Sequence, residues 1–221
     1  MTAPGGTAPR PAALRTVLLA VIAVGLVLLG GGLAVALGIG RGEPAPGGQS
    51  VDAGFSRDMS RHHLQGVEMA NLVPDRSSDP EVRQLAFDIA ETQQNQVGRM
   101  QGWLALWALP PSGGETMAWM AAEGGHPGHA TGADTLMPGM ATDEELAELR
   151  ALSGTEFDVQ FLRLMIRHHQ GGREMAEYAA QHAGEPAVRT LAGTIAETQT
   201  AEVTTMQRML TARGGTPLPA P

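Results

Sequence analysis

Two pairs of adjacent histidines are the residues of this sequence best suited to chemistry. His62 and His63 lie in the pattern Phe-x3-Met-x2-His-His-x2-Gly-x-Glu-Met-Ala, and the same pattern recurs 106 positions later around His168 and His169. Four of the seven histidines of the chain are in these pairs. Imidazole and thioether groups both bind metals, and together they favour copper. The pattern therefore predicts metal binding ahead of a catalytic function.

Methionines extend this candidate site. Met59 and Met165 come three positions before His62 and His168, about one helical turn away on the same side. The helices that follow carry polar residues at positions predicted to face inward, where a hydrogen bond could orient an imidazole ring. These orienting residues are Gln93, Gln96, Gln199 and Glu202. The alternative is a buried polar network that specifies helix pairing without a metal.

A second group of soft donors lies between the two patterns. His126-Pro-Gly-His129 and Met137-Pro-Gly-Met140 each place two donors in a short turn. Thioether and imidazole ligands suit Cu(I), so these four residues are an accessory metal-site candidate. The alternative is a flexible loop in a methionine-rich protein.

The histidine patterns belong to a longer internal repeat. Residues 55–104 and 161–210 align without a gap, and 24 of the 50 aligned positions are identical. This identity indicates an internal duplication. Each copy predicts two helices, because apolar residues recur every three or four positions on either side of a Pro-containing turn. Two such hairpins predict an all-α protein built as a four-helix bundle with one long crossover, residues 105–154.

Capping residues predict where the helices begin and end. Asp52 and Thr155 are the expected N-caps of the two histidine helices, and Pro74 is expected to end the first of them. Asp79 precedes a proline at the start of the next helix. Thr142 and a glutamate three positions later form a capping box that predicts a short helix over 143–152.

An uncharged segment, residues 16–40, is 25 residues long, enough to span a bilayer core of about 30 Å. Arg10 and Arg15 precede it, which places residues 1–15 in the cytoplasm and the following domain outside. A cleaved signal sequence is the alternative, although its apolar core is usually about 7–15 residues long. The expected location is the cell membrane with a single pass, or a secreted or periplasmic location after cleavage.

The remaining segments connect or follow the bundle. Residues 41–51 are Gly/Pro-rich and predict a linker, 52–210 form the duplicated helical domain, and 211–221 predict a disordered tail.

Composition narrows the function classes further. The chain has no cysteine, which excludes disulfides and thiolate metal sites. Its formal net charge of −8 argues against nucleic-acid binding. No nucleophile triad, phosphate loop or nucleotide fingerprint occurs, so an enzyme is not predicted. The expected partners are a metal ion and, through one helix, a membrane; a homo-oligomer or a copper-transfer partner is left open.

The repeated pattern resembles the bacterial domain of unknown function 305 family. The resemblance covers residues 55–210, including Met-Pro-Gly-Met at 137–140. It implies a ferritin-like helical bundle, export from the cytoplasm and, for some members, copper binding. Carried over to this sequence, it implies that the metal ligands are Met59, His62, His63, Met69, Met165, His168, His169 and Met175.

Two other functions are weighed against copper sequestration or handling. One is a helical interaction or structural module of the cell envelope that binds no metal. The other is a ferritin-like di-iron oxidase, which needs Glu-x-x-His on two of its helices. Neither repeat contains that motif: Glu91 and Glu197 are followed three positions later by Gln94 and Thr200.

Overall fold

The computed structural model describes residues 11–38, 44–121 and 136–220, and these parts of the chain form helices and no strands. The chain divides into a unit of residues 1–44 and a unit of residues 45–221. In chain order the helices are α1 (Pro11–Ala36), α2 (Val51–Arg76), α3 (Pro80–Leu106), α4 (Ala118–Ala121), α5 (Asp143–Ala151), α6 (Gly154–His182) and α7 (Pro186–Ala212).

Helix α1 is the N-terminal unit. The stretch Ala13–Ala36 is long and apolar enough to cross a membrane, and none of its most apolar window is buried within the protein. A signal sequence near the N-terminus would have the same properties. The helix begins earlier and ends earlier than the predicted segment 16–40, and residues 39–43 of the predicted linker lie outside the described parts of the chain.

The second unit consists of two helix hairpins. Helix α2 packs on α3, α6 packs on α7, and the hairpins meet through α2 and α6. The ends of the two histidine helices, α2 and α6, are 106 residues apart. The same offset separates both the starts and the ends of α3 and α7. This arrangement confirms the predicted all-α class with four long helices.

Two buried apolar clusters fill the bundle. The Trp119 core includes Phe55 and Met59 from α2 and Met175 from α6, whereas the Phe161 core includes Met69 and Val73 from α2. On α6 the order is reversed, because Phe161 and Met165 come first and belong to the Phe161 core. Helices α2 and α6 therefore run antiparallel, and the paired histidines lie in the layer between the two cores.

Three predicted helix boundaries are wrong. Ser50, not Asp52, is the N-cap of α2. Pro74 lies inside α2, which continues to Arg76. Helix α6 begins at Gly154, so Thr155 is inside it. The predicted N-cap Asp79 and the predicted capping box of Thr142 are both confirmed.

Asp52 has a different role because it is buried at the contact between the hairpins. Its carboxylate accepts hydrogen bonds from the backbone N–H groups of Gly184 and Glu185, at 3.0 and 2.8 Å. These residues form the turn between α6 and α7. A side chain of the first hairpin thus satisfies backbone donors of the second, which local sequence patterns do not reveal.

The C-terminal segment is more ordered than the predicted disordered tail. Residues 211 and 212 belong to α7. Arg213 pairs with Asp79 at 2.5 Å, and Leu218 packs against the Phe161 core. The ion pair and the apolar contact hold this segment to the bundle.

Candidate metal centre

All four paired histidines are fully buried in one layer. The rings of His62 and His168 lie face to face with centroids 3.9 Å apart and planes 32° apart. His63 and His169 follow these two residues directly in the sequence and are equally buried. A polar residue of a neighbouring helix lies beside each of these two rings. Gln96 of α3 is next to His63, and Glu202 of α7 is hydrogen-bonded to His169.

Glycines make the close approach of the two histidine helices possible. A Cβ on Gly66 would lie 3.1 Å from Cε1 of His168, and a Cβ on Gly172 would lie 3.0 Å from Cε1 of His62. Each glycine of the repeated pattern therefore leaves space for the histidine of the other copy. The same two glycines also contact Gln93 and Gln199.

Backbone carbonyls fix the orientation of the central rings. Nε2 of His62 donates to the Pro138 carbonyl at 3.0 Å, and Nε2 of His168 donates to the His62 carbonyl at 2.9 Å. Nε2 of His169 donates to Glu202 at 2.8 Å. A neutral imidazole that donates from Nε2 carries a lone pair on Nδ1. The Nδ1 atoms of His62 and His168 thus carry free lone pairs.

These Nδ1 atoms have no hydrogen-bond partner. The buried atoms without a partner include Nδ1 of His62, His168 and His169 and both ring nitrogens of His63. The amide groups of Gln93 and Gln199 are also buried without partners. Buried polar groups left unpaired are costly, and a metal ion bound to the imidazole nitrogens would offset that cost.

Burial keeps the central histidines neutral. It lowers the pKa of His62 to about 4 and the pKa of His63 to about 3, the second also because His62 lies nearby. Burial likewise places the pKa of His168 well below its ordinary value. Neutral imidazole is the form that binds metals.

The donor set fits a soft metal better than a hard one. Among the described residues, no three His, Asp or Glu side chains form a group that could hold a metal ion. Thioether groups also lie around the histidine layer. Met59 and Met175 are fully buried on one side of the histidine layer, and Met69 and Met165 are fully buried on the other.

The accessory candidates divide into two groups. Met137 is buried in the Trp119 core, with Met140 packed partly against that core. His126 and His129 lie outside the described residues. The turn 137–140 contacts the histidine layer, because the Pro138 carbonyl accepts the hydrogen bond from His62.

The sequence patterns missed the groups that hold this turn in place. The side chain of Gln65 bonds to both backbone groups of Ala141, at 2.9 and 2.8 Å. Arg167 pairs with Glu145 and also donates to the Met140 carbonyl. The hydrogen bond from Arg167 lowers the pKa of Glu145. In the sequence, the repeated glycines and Gly139 are the only indication that two backbone segments pack closely here.

Predicted orienting residues behave differently from one another. Glu202 bonds to His169 as predicted. Gln93 and Gln199 are buried but make no hydrogen bond to an imidazole, because they lie against Gly66 and Gly172.

Comparison with known proteins places this geometry in a family. Residues 52–210 match the family described as Domain of unknown function (DUF305). The chain belongs to the DUF305 family. A DUF305 protein of Streptomyces coelicolor that is assigned as secreted is 42% identical, with a TM-score of 0.71 over 78% of this chain and 99% of that one.

Two further DUF305-like structures are similar. A DUF305 fragment from Deinococcus radiodurans is 34% identical, with a TM-score of 0.61 over 77% of this chain and 99% of that one. CopM in its Cu(II)-bound form is 26% identical, with a TM-score of 0.56 over 74% of this chain and 97% of that one. The uncharacterized protein L153 of Acanthamoeba polyphaga mimivirus is 34% identical over 53 residues, and the matched part spans 35% of that protein.

Proposed function

We propose that this DUF305 protein binds copper outside the cytoplasm, through the buried histidine layer and the methionines on either side of it. Its role is then sequestration or handover of the ion rather than turnover of a substrate. The observation that carries this proposal is the set of five buried imidazole nitrogens without partners. Copper binding by the similar protein CopM supports it.

The residues have distinct roles in this proposal. His62, His63, His168 and His169 supply neutral nitrogen donors. Met59, Met69, Met165 and Met175 supply thioethers, which favour Cu(I). The Pro138 and His62 carbonyls orient the two central rings, as the outer hydrogen-bond partners of metal ligands commonly do.

The apolar helix α1 supports a location outside the cytoplasm. An uncleaved α1 anchors the domain to the membrane, whereas cleavage releases it; the length of the apolar segment favours the anchor. Secretion assigned to the similar Streptomyces coelicolor protein is consistent with export.

Removing both central imidazoles tests the proposal. The double variant His62→Ala, His168→Ala should lower copper affinity by at least about tenfold, or 1.4 kcal/mol. Competition titration with a copper chelator measures the loss. His182→Ala is the matched control, because His182 is an exposed histidine on the same helix as His168. Unchanged affinity in the double variant would refute the site.

An envelope module without metal is the second candidate. The central histidines already donate to backbone carbonyls, and no three His, Asp or Glu side chains among the described residues form a group that could hold a metal ion. A protein purified without metal and insensitive to copper in thermal unfolding would favour this candidate. A ligand that binds only the folded state would raise the melting temperature instead.

A further inference from the structure

We propose that the two copies of the histidine motif have diverged in metal preference, so that the half around His169 binds Cu(II) more tightly than the half around His63 does. The residue that sets this difference is Glu202 in the second copy, where the first copy has Gln96. This inference rests on the proposed copper binding. It adds that one position selects the oxidation state.

The half around His169 contains a carboxylate. Oε2 of Glu202 accepts a hydrogen bond of 2.8 Å from Nε2 of His169, whose ring is fully buried, while the Glu202 side chain is 22% exposed. Nδ1 of His169 remains buried without a partner. A metal-binding nitrogen and a negative charge therefore sit on the two sides of one imidazole ring.

The half around His63 is uncharged. Neither ring nitrogen of His63 has a hydrogen-bond partner, and the neighbouring side chain is the amide of Gln96, itself 8% exposed. Gln96 and Glu202 occupy equivalent positions, 106 residues apart in helices whose bounds differ by the same number. The two equivalent positions therefore differ in charge, because Glu202 has a carboxylate where Gln96 has an uncharged amide.

The methionines do not divide between the two copies. The Trp119 core holds Met59 and Met100 from the first copy and Met175 from the second, and the Phe161 core holds Met69 from the first copy and Met165 from the second. The carboxylate of Glu202 is therefore the difference on which the metal preference of the two halves depends.

Electrostatics favours the divalent ion beside Glu202. The attraction between a carboxylate and an ion is twice as large for Cu(II) as for Cu(I) at equal distance, and it is less screened in a buried site than in water. Carboxylate with imidazole suits the divalent ion, whereas thioether donors suit Cu(I). A carboxylate bonded to the far side of an imidazole also makes that ring a stronger donor.

Exchanging the residues at positions 96 and 202 tests this inference in the full-length protein in detergent micelles. Glu202→Gln should lower Cu(II) affinity by at least about tenfold and Cu(I) affinity by less than about threefold. Gln96→Glu should raise Cu(II) affinity at the first copy. Both replacements conserve side-chain size, and thermal unfolding of each variant verifies that it folds. Chelator competition measures each ion, with Cu(I) handled under anaerobic conditions.

Moving the carboxylate should also move the Cu(II) site. In the double exchange Gln96→Glu, Glu202→Gln, the added change His63→Ala should abolish the Cu(II) electron paramagnetic resonance signal of the bound ion. The same His63→Ala change in the otherwise native chain should leave that signal in place. The control Glu197→Gln removes an exposed acid from the same helix and should change neither affinity.

Two results overturn the inference. One is an equal loss of Cu(I) and Cu(II) affinity in Glu202→Gln, and the other is a Cu(II) signal that does not move in the double exchange. Absence of copper binding in the native chain is a different outcome, because it contradicts the proposed function itself.

Discussion

The charge state of the buried imidazoles governs chemistry at the residue scale. Burial in an apolar layer favours the neutral form, and each central ring uses its single N–H on a backbone carbonyl. The free lone pairs are then on Nδ1. A different tautomer would lose both of these hydrogen bonds, so the backbone selects which nitrogen is offered to a metal.

This neutrality predicts how stability depends on pH. Burial holds the folded pKa of His62 near 4 and that of His63 near 3, below the ordinary value of 6.5, and His168 is lowered in the same direction. The unfolded chain therefore binds more protons at pH values below 6.5, and stability falls as the pH is lowered. Each such histidine contributes up to about 1.4 kcal/mol per pH unit in that range.

Urea unfolding of the metal-free protein between about pH 6.5 and 5 measures this slope, above the range in which most carboxyl groups titrate. The double variant His62→Gln, His168→Gln should show a smaller slope than the native chain. His182→Gln changes an exposed histidine and should leave the slope as it is. A native chain with constant stability over this range would contradict the buried neutral rings.

At the element scale, the turn 137–140 is seated directly on helix α6. Gly139 lies against the backbone of Arg167 and His168, and Gly171 lies against Pro138. Gly139 also has a φ of 78°, which favours glycine. The pair of glycines lets the Pro138 carbonyl reach His62. Contact between two backbones thus positions an atom that orients a candidate ligand.

Gly171→Ala should disturb this contact, because its new Cβ would meet the Pro138 carbonyl and lie 2.7 Å from the backbone nitrogen of Gly139. We expect the free energy of unfolding to fall by about 1–3 kcal/mol. The variant should also bind copper more weakly, since His62 loses its carbonyl partner when the turn moves. Urea unfolding and chelator competition measure the two effects.

Gly193→Ala is the matched control within the neighbouring helix α7. A Cβ at position 193 meets nothing within 4 Å, so the change should stabilise the helix by about 0.5–1 kcal/mol. If the free energy of unfolding changed in the same direction in both variants, close packing at position 171 would not explain the effect of Gly171→Ala.

At the scale of the whole molecule, the chain joins an apolar helix to a separate acidic helical unit. Side chains of α1 such as Val27 and Leu29 are more than 70% exposed, an arrangement that suits lipid and not water. The helical unit, residues 45–221, contains every paired histidine. If α1 is an anchor, the proposed copper site is held at the outer face of the membrane.

The expected membrane topology can be tested with a protease. Protease added to intact spheroplasts should digest residues 45–221, because Arg10 and Arg15, before the uncharged segment, favour a cytoplasmic N-terminus. A fragment that contains α1 should stay with the membrane fraction if the helix is an uncleaved anchor. A protected C-terminal unit would contradict the orientation, and a mature protein that lacks α1 would identify a signal sequence.

The sequence alone determined the helices and the candidate ligands. Helical periodicity, proline-containing turns and the 106-residue offset follow from local spacing, which is why the four long helices could be predicted without coordinates. Met59 and Met165 were predicted on the same side of their helices as His62 and His168 for the same reason, and all four are buried. The duplication also predicted that the two copies of the motif would present similar donors.

Tertiary structure alone decided which groups meet. Met59 lies with Met175 and Met69 lies with Met165, each pair taken from both copies, because α2 and α6 run antiparallel. Asp52 and the Pro138 carbonyl act on segments more than 70 residues away. Contacts of this kind depend on how one hairpin packs against the other, and side-chain spacing along a single helix carries no information about them.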